Sequence, residues 1–338
     1  MKVLKSLVKT ILAGIVALAI LSVIMLGYYF VPLRENNPDH NTDYVWASNT
    51  PWASMTEGVS FGVTDANGYI NSKVIDDPDI IFLGSSHLEA MHVMQSENMC
   101  SLLNDKFDGK YQAYNMGISG HTIYKVTQYL KESLNSFSTV PKFVIIETGG
   151  VGLTQAEVSQ AISGKVPKTE VVDTGLLAQM QKVPYLRLLY HQLDTGMLKM
   201  LNDKKKGSAS ASATDSQKTE VVEIDEEPYE TLLSYFQDIE KEYSTKIIVM
   251  YHPFETLHTD GSISFSDADY SKVFAQYAQK HDVGFVDMTE DFEVMYYNEH
   301  HVPHGFSTGE LGVGHINKYG HAAITDRLYQ YINELEEK

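Results

Sequence analysis

The stretch from Asp79 to Met91 reads DIIFLGSSHLEAM. Asp79–Leu83 (DIIFL) is an apolar run rich in β-branched residues. A run without alternation predicts a strand buried on both faces, as in a parallel sheet. Gly84 permits a tight turn, and a helical pattern begins at Leu88. Strand, turn and helix in this order predict that the Ser86 hydroxyl leaves the carboxyl edge of a sheet beside a helix N-terminus. Backbone N–H groups there can hold a developing oxyanion. By itself, Gly-Ser-Ser fits an ordinary turn equally well.

Four further apolar runs have the same character: Tyr111–Met116, Lys142–Ile146, Lys246–Tyr251 and Val283–Val286. Helical patterns separate them, around Leu88–Asp105, Ile123–Leu134, Tyr229–Tyr243 and Tyr270–His281, and Ala322–Leu335 closes the chain. The alternation predicts a doubly wound α/β domain on a parallel five-stranded sheet. Ligands of such sheets bind past the carboxyl ends of the strands.

Outward from this core, the N-terminus sets the compartment. Thr10–Leu33 has no charged residue over 24 positions, about 36 Å of helix against about 30 Å of hydrocarbon. Lys2, Lys5 and Lys9 precede it, so positive-inside bias places residues 1–9 in the cytoplasm and the main domain outside the cell membrane. A cleaved signal peptide would have a shorter apolar core. Residues 34–75, rich in Asn, Asp, Ser and Gly, read as a stalk and lead-in to an α/β domain over 76–338. An insertion over about 151–227 interrupts that domain; residues 203–227 within it are low-complexity and charged.

The 338 residues are 43% hydrophobic and 21% charged, enough for a large core. Three of the 26 basic residues lie in the first nine positions, which leaves 23 against 44 acidic residues beyond them. So acidic a body opposes nucleic acid. With Cys100 the sole cysteine, no intrachain disulfide forms.

Two other segments belong with Ser86. Asn115–Thr122 (NMGISGHT) follows the second strand, and its Gly117 and Gly120 let a main-chain N–H face the same crevice. Gly312–His321 (GVGHINKYGH) runs into the last helix, and His315 there can take the proton of a serine. The three blocks, FLGSSH, NMGISGHT and GHINKYGHAAI, resemble those of the SGNH/GDSL hydrolase superfamily in residue type and chain order. The resemblance covers about residues 79–335 and implies a flavodoxin-like three-layer α/β/α sandwich with a parallel five-stranded sheet. It implies Ser86 as nucleophile, His315 as base, and the N–H groups of Ser86 and Gly120 as oxyanion donors. His87, His121, His252 and Asn317 are expected to line the crevice.

Ser85 and His121 each stand where the family usually has Asp, and two further departures matter more. Gly312 stands where an Asp usually orients the histidine, and the third block reads Glu147-Thr148-Gly149-Gly150-Val151, without its Asn. A Ser–His dyad is therefore expected, its imidazole held by a backbone carbonyl, with Thr148 as a candidate replacement donor; Glu310 is a weaker candidate for a distant orienter. His300-His301-x-x-His304 could suggest a metal site, but neither an HExxH nor carboxylates at ligand spacing accompany it; a solvated His-rich loop bordering the site is expected, and no metal or cofactor. The narrower resemblance is to membrane-anchored proteins that modify cell-surface polymers, including the D-alanine transfer protein of teichoic acid biosynthesis and polysaccharide O-acetyltransferase partners. It implies a serine esterase or O-acyltransferase working on surface glycans or teichoic-type polymers, in company with a membrane acyl-donor protein. The alternative is a non-catalytic binding or scaffolding subunit that keeps the fold.

Overall fold

The computed structural model of the chain describes residues 2–39, 41–55, 57–167, 186, 224–307 and 309–337. The chain divides into two compact units, residues 1–31 with 173–224, and residues 32–172 with 225–338. In the first, helix α1 spans Lys2–Tyr28. Its segment Val3–Leu21 is long and apolar enough to cross a membrane, as an anchor or as a signal sequence. The helix begins and ends earlier than the expected span of 10–33. The early lysines are good helix formers, while aromatic and β-branched residues run from Tyr28 into Pro32, which disfavours helix before it. The expected insertion falls mainly on 168–223, outside the described residues.

The second unit opens with β1 (Arg34–Glu35), β2 (Val45–Trp46), β3 (Pro51–Ser54) and β4 (Ser60–Val63). The α/β core follows: β5 (Ile80–Leu83), α2 (Ser86–Glu89), α3 (Met99–Phe107), β6 (Ala113–Asn115), α4 (Ile123–Asn135), β7 (Phe143–Thr148) and α5 (Gln155–Ile162). It continues through α6 (Glu227–Tyr243), β8 (Lys246–Tyr251), β9 (Glu255–Leu257), β10 (Ile263–Phe265), α7 (Ala268–Lys280), β11 (Gly284–Asp287), α8 (Thr289–Val294) and α9 (Lys318–Glu336).

Five strands form one parallel sheet in the order β11-β8-β7-β5-β6. Numbered along the chain, this is the flavodoxin-like order 2-1-3-4-5, as expected of the α/β domain. Every residue of β5 and β7 is buried, as expected of unalternating apolar runs with both faces covered. Ile80, Phe82, Ile145 and Met250 pack with Leu103 of α3 and Leu328 of α9. Ile81, Val144 and Ile247 point to the opposite face by strand alternation, and α4, α6 and α7 pack on the sheet as well. The order reverses between β5 and β7, so their carboxyl ends, at Leu83 and Thr148, border the crevice where ligands of this architecture bind.

Two expectations change. The helix expected over Leu88–Asp105 is broken: α2 stops after four residues, Ala90 takes a left-handed conformation, and α3 starts afresh behind its cap Asn98, whose Oδ1 accepts the Ser101 N–H at 2.8 Å. Residues 34–75, expected as a stalk, are folded against the domain. Tyr44, Trp46, Trp52, Tyr69 and Ile70 are all buried. Asn71 exchanges two 2.9 Å hydrogen bonds with the backbone of Asn115, so the lead-in caps the edge strand β6.

Glu89 explains why α2 turns inward. Its Oε1 accepts the Trp46 indole N–H at 2.7 Å and the Ser119 N–H at 3.3 Å, joining the lead-in to the glycine-rich loop after β6. Burial pushes its carboxyl up to about 7, against the hydrogen bonds that hold the charged form. Its folded pKa exceeds the unfolded one, so its contribution is fully present below about pH 4.5 and is lost as pH rises through about 7. Glu89→Gln keeps the acceptor and removes the charge. Urea unfolding is expected to show the variant about 1–3 kcal/mol more stable than the parent at pH 8, with no gain at pH 4.5. A loss of stability at pH 8 would contradict this.

Candidate active site

The turn after β5 is built by Glu147 of the adjacent strand β7. Its Oε2 accepts the Ser85 N–H at 2.5 Å and its Oε1 the Ser85 hydroxyl at 3.1 Å. Ser85 Oγ in turn accepts the His87 N–H at 3.2 Å and caps α2. Residue 84 must be glycine for the carboxylate to come so close, since a Cβ there would lie 2.3 Å from Glu147 Oε2. With Ser85 occupied in holding the turn, half-buried Ser86 is left as the first helical residue.

Ser86 Oγ lies 2.9 Å from His315 Nε2. The two positions, 229 apart in sequence, converge at the carboxyl edge of the sheet. On the other side of the ring stands a carboxylate that the sequence analysis did not find. Glu57 Oε2 lies 2.9 Å and Oε1 3.0 Å from His315 Nδ1, and Oε2 also accepts the His315 backbone N–H at 3.2 Å. Glu57 belongs to the loop between β3 and β4. Ser60 Oγ donates to the Met91 carbonyl at 2.7 Å and draws that loop in. Gly58 lets it pack closely, because a Cβ at 58 would sit 2.2 Å from the His92 carbonyl oxygen.

Burial alone would push the Glu57 carboxyl up. The hydrogen bond from His315, with the nearby His92 and His315 charges, more than offsets this and holds it at about 2. An ionised Glu57 accepts from Nδ1–H and leaves the Nε2 lone pair facing the Ser86 hydroxyl, the tautomer a general base needs. His92 stacks on the His315 ring at 3.7 Å and 16°, with its Nδ1 3.8 Å from Glu57 Oε2. Burial, then the His315 charge, pushes its pKa down to about 4, so it is a neutral plate behind the base at pH 7.

The other expected residues divide. Gly120, Thr148, His87 and His121 line one cleft of about 650 Å³ with Ser85 and Ser86. Thr148 is corrected as a donor, because its hydroxyl donates to the Gly150 carbonyl at 2.7 Å. His121 is largely buried: its ring stacks on Tyr129 and stands 3.9 Å from Asp43. Burial lowers its pKa to about 4, so it acts as a wall of the cleft. His252 is wholly buried beneath the turn and does not line the crevice. Its Nε2 lies 2.5 Å from Glu147 Oε1, so it supports the residue that supports Ser85. Asn317 caps α9, with Oδ1 accepting the Tyr319 and Gly320 N–H groups. Its Nδ2 pins the Val302 and Gly305 carbonyls. It borders a second cleft of about 640 Å³, which also touches Glu57 and His92. Glu310 is exposed and absent from the shell around His315.

A serine hydroxyl, an imidazole and a carboxylate joined in series are the parts needed to deprotonate an oxygen nucleophile and hand its proton to a leaving group. The Ser86 and Gly120 backbones border the same cleft, where a tetrahedral oxyanion would form.

No family model matches the chain, and neither does any curated protein. Neighbours among solved structures include esterases, a putative acylhydrolase and a member of the lipolytic G-D-S-L family. The psychrotrophic esterase EstA from Pseudoalteromonas sp. shares 17% identity at a TM-score of 0.39, over 78% of this chain and 100% of that one. An acetyl xylan esterase shares 14% at 0.39, over 75% and 98%. A member of the lipolytic G-D-S-L family from Veillonella parvula shares 14% at 0.38, over 74% and 96%.

Proposed function

We propose that the chain is a serine esterase or O-acyltransferase acting on acyl esters of cell-surface glycans, held at the outer face of the cell membrane by its N-terminal helix. The observation that carries this reading is the continuous set Ser86–His315–Glu57, with hydrogen-bond distances of 2.9 Å on both sides of the ring. Ser86 attacks the acyl carbonyl while His315 takes its proton and then delivers it to the leaving alcohol. Glu57 stabilises the imidazolium, and the N–H groups of Ser86 and Gly120 hold the oxyanion. Hydrolysis and transfer then differ in whether water or a sugar hydroxyl meets the acyl-enzyme.

Glu57 also weakens the case for a non-catalytic scaffold, which rested partly on the missing orienter at Gly312. A glycan suits the site better than a teichoic-type polymer. The chain's net charge of −18 repels a polyphosphate for the same reason that it repels nucleic acid. Tyr124, Tyr270 and Phe254 line the Ser86 cleft, and aromatic faces suit the C–H faces of pyranose rings.

The test is acetate release from an O-acetylated neutral polysaccharide, or acetyl transfer to it from an activated acetyl ester, with and without Ser86. Release or transfer that depends on Ser86 supports the reading. Equal signal from the Ser86→Ala variant would overturn it.

A further inference from the structure

We propose that His252, His304 and His87 hold one divalent cation of the zinc type beneath the nucleophile turn. His252 and His304 are wholly buried, and each turns its outer nitrogen to a buried carboxylate. His252 Nε2 meets Glu147 Oε1 at 2.5 Å, and His304 Nδ1 meets Glu255 Oε2 at 2.6 Å. Glu255 Oε1 further accepts the His304 backbone N–H at 3.1 Å, so both carboxylates are fixed. With protons on the outer nitrogens, each neutral ring presents a lone pair inward. His252 Nδ1 and His304 Nε2 face each other at 3.3 Å.

Two lone pairs do not attract at that distance. Two imidazole nitrogens about 2.0–2.1 Å from one tetrahedral zinc, however, stand about 3.3–3.4 Å apart. Carboxylates behind the ligands are how metal-bound imidazoles are commonly oriented. The charge fits as well: the ion-pair partners of Glu147 and Glu255 are these two histidines, and a dication between the rings balances both buried carboxylates. A ring nitrogen of His87 lies within 4.8 Å of the other two ligand atoms. His87 Nδ1 accepts a long 3.2 Å bond from the Ile316 N–H, which a rotation of the ring toward the metal gives up. Imidazole-only ligation suits zinc and its transition-metal neighbours rather than calcium or magnesium.

The cation would tie three segments that make the active site: the turn that bears Ser86, the end of β8, and the loop at 302–305. That loop holds the segment bearing His315, through the Gly305 N–H to the His315 carbonyl at 3.0 Å and the Asn317 N–H to the Pro303 carbonyl at 2.9 Å. Its role is to position these segments and involves no contact with the reacting atoms. It stands independently of the substrate proposed above.

The experiment measures zinc and thermal stability in the full chain, before and after dialysis against chelator and after zinc is restored. It includes the His252→Gln/His304→Gln double variant and His92→Gln, which alters the other histidine–carboxylate cluster. We expect about one zinc per parent chain, a fall in Tm on chelation that zinc reverses, zinc lost in the double variant and kept in His92→Gln. If the double variant does not fold, cobalt added to the chelated parent decides, through the intense visible bands of tetrahedral cobalt. Absence of both retained zinc and a zinc-dependent Tm would overturn the proposal in favour of a shared proton between the two rings. So would zinc lost in His92→Gln and kept in the double variant, or no tetrahedral cobalt spectrum. Labelling of Ser86 by a fluorophosphonate reports on the nucleophile separately.

Discussion

Glu57→Gln is expected to cut kcat for an activated acetyl ester by about 10³–10⁴-fold while leaving KM and the fold nearly unchanged. The corresponding carboxylate-to-amide change in serine-protease triads costs about 10⁴ because the amide stabilises the wrong imidazole tautomer. Here Glu57 meets both the ring Nδ1 and the backbone N–H of His315. A glutamine that turns its NH2 toward Nδ1 moves the ring proton to Nε2, which can then no longer accept from Ser86. Glu57 is half-exposed in its loop, so the substitution leaves no buried charge uncompensated. Steady-state kinetics beside a thermal melt check this. A loss below about 10-fold with intact folding would mean that Glu57 does not orient the base.

Ser86→Ala is expected to remove turnover almost wholly, by a factor on the order of 10⁶, as in other enzymes where a serine acts as one unit with its base. Folding should survive, because Ser85 and not Ser86 caps α2, and alanine is at ease in a helix. Ser85→Ala is the informative contrast. It leaves the nucleophile in place but deletes the cap and a hydrogen bond to Glu147. A thermal melt should therefore show a loss of about 1–2 kcal/mol of stability together with reduced turnover. Turnover retained by Ser86→Ala would show that the measured chemistry lies elsewhere.

The apolar runs at Ile80–Leu83 and Lys246–Tyr251 were legible in the sequence because a strand covered on both faces needs no alternation. Ser86 and His315 were legible because each sits in a block of small residues at an element boundary. Glu57 was not: it stands 258 positions from its partner, amid polar residues that read as a tether. A signal of packing was nonetheless present. Both tryptophans of the chain, Trp46 and Trp52, lie in that supposed tether, and aromatic residues at such density seek burial. The helical periodicity after Leu88 was genuine, yet the buried bond from Trp46 to Glu89 outweighed it. Thr148 was expected to serve the crevice because it stands in the block that lacks the family's Asn, and His252 because it ends a strand at the carboxyl edge. Which way a side chain turns there depends on neighbours such as Gly150 and Glu147, and spacing along the chain does not encode it.

The most direct measurement is fluorophosphonate labelling of the full chain, followed by mapping of the modified residue by mass spectrometry. The prediction is a single adduct on Ser86, formed rapidly in the parent, slowed at least about 10²-fold in His315→Ala and in Glu57→Gln, and absent in Ser86→Ala. An adduct on another residue, or labelling of Ser86 at the same rate without His315, would contradict a nucleophile activated by that histidine and its glutamate.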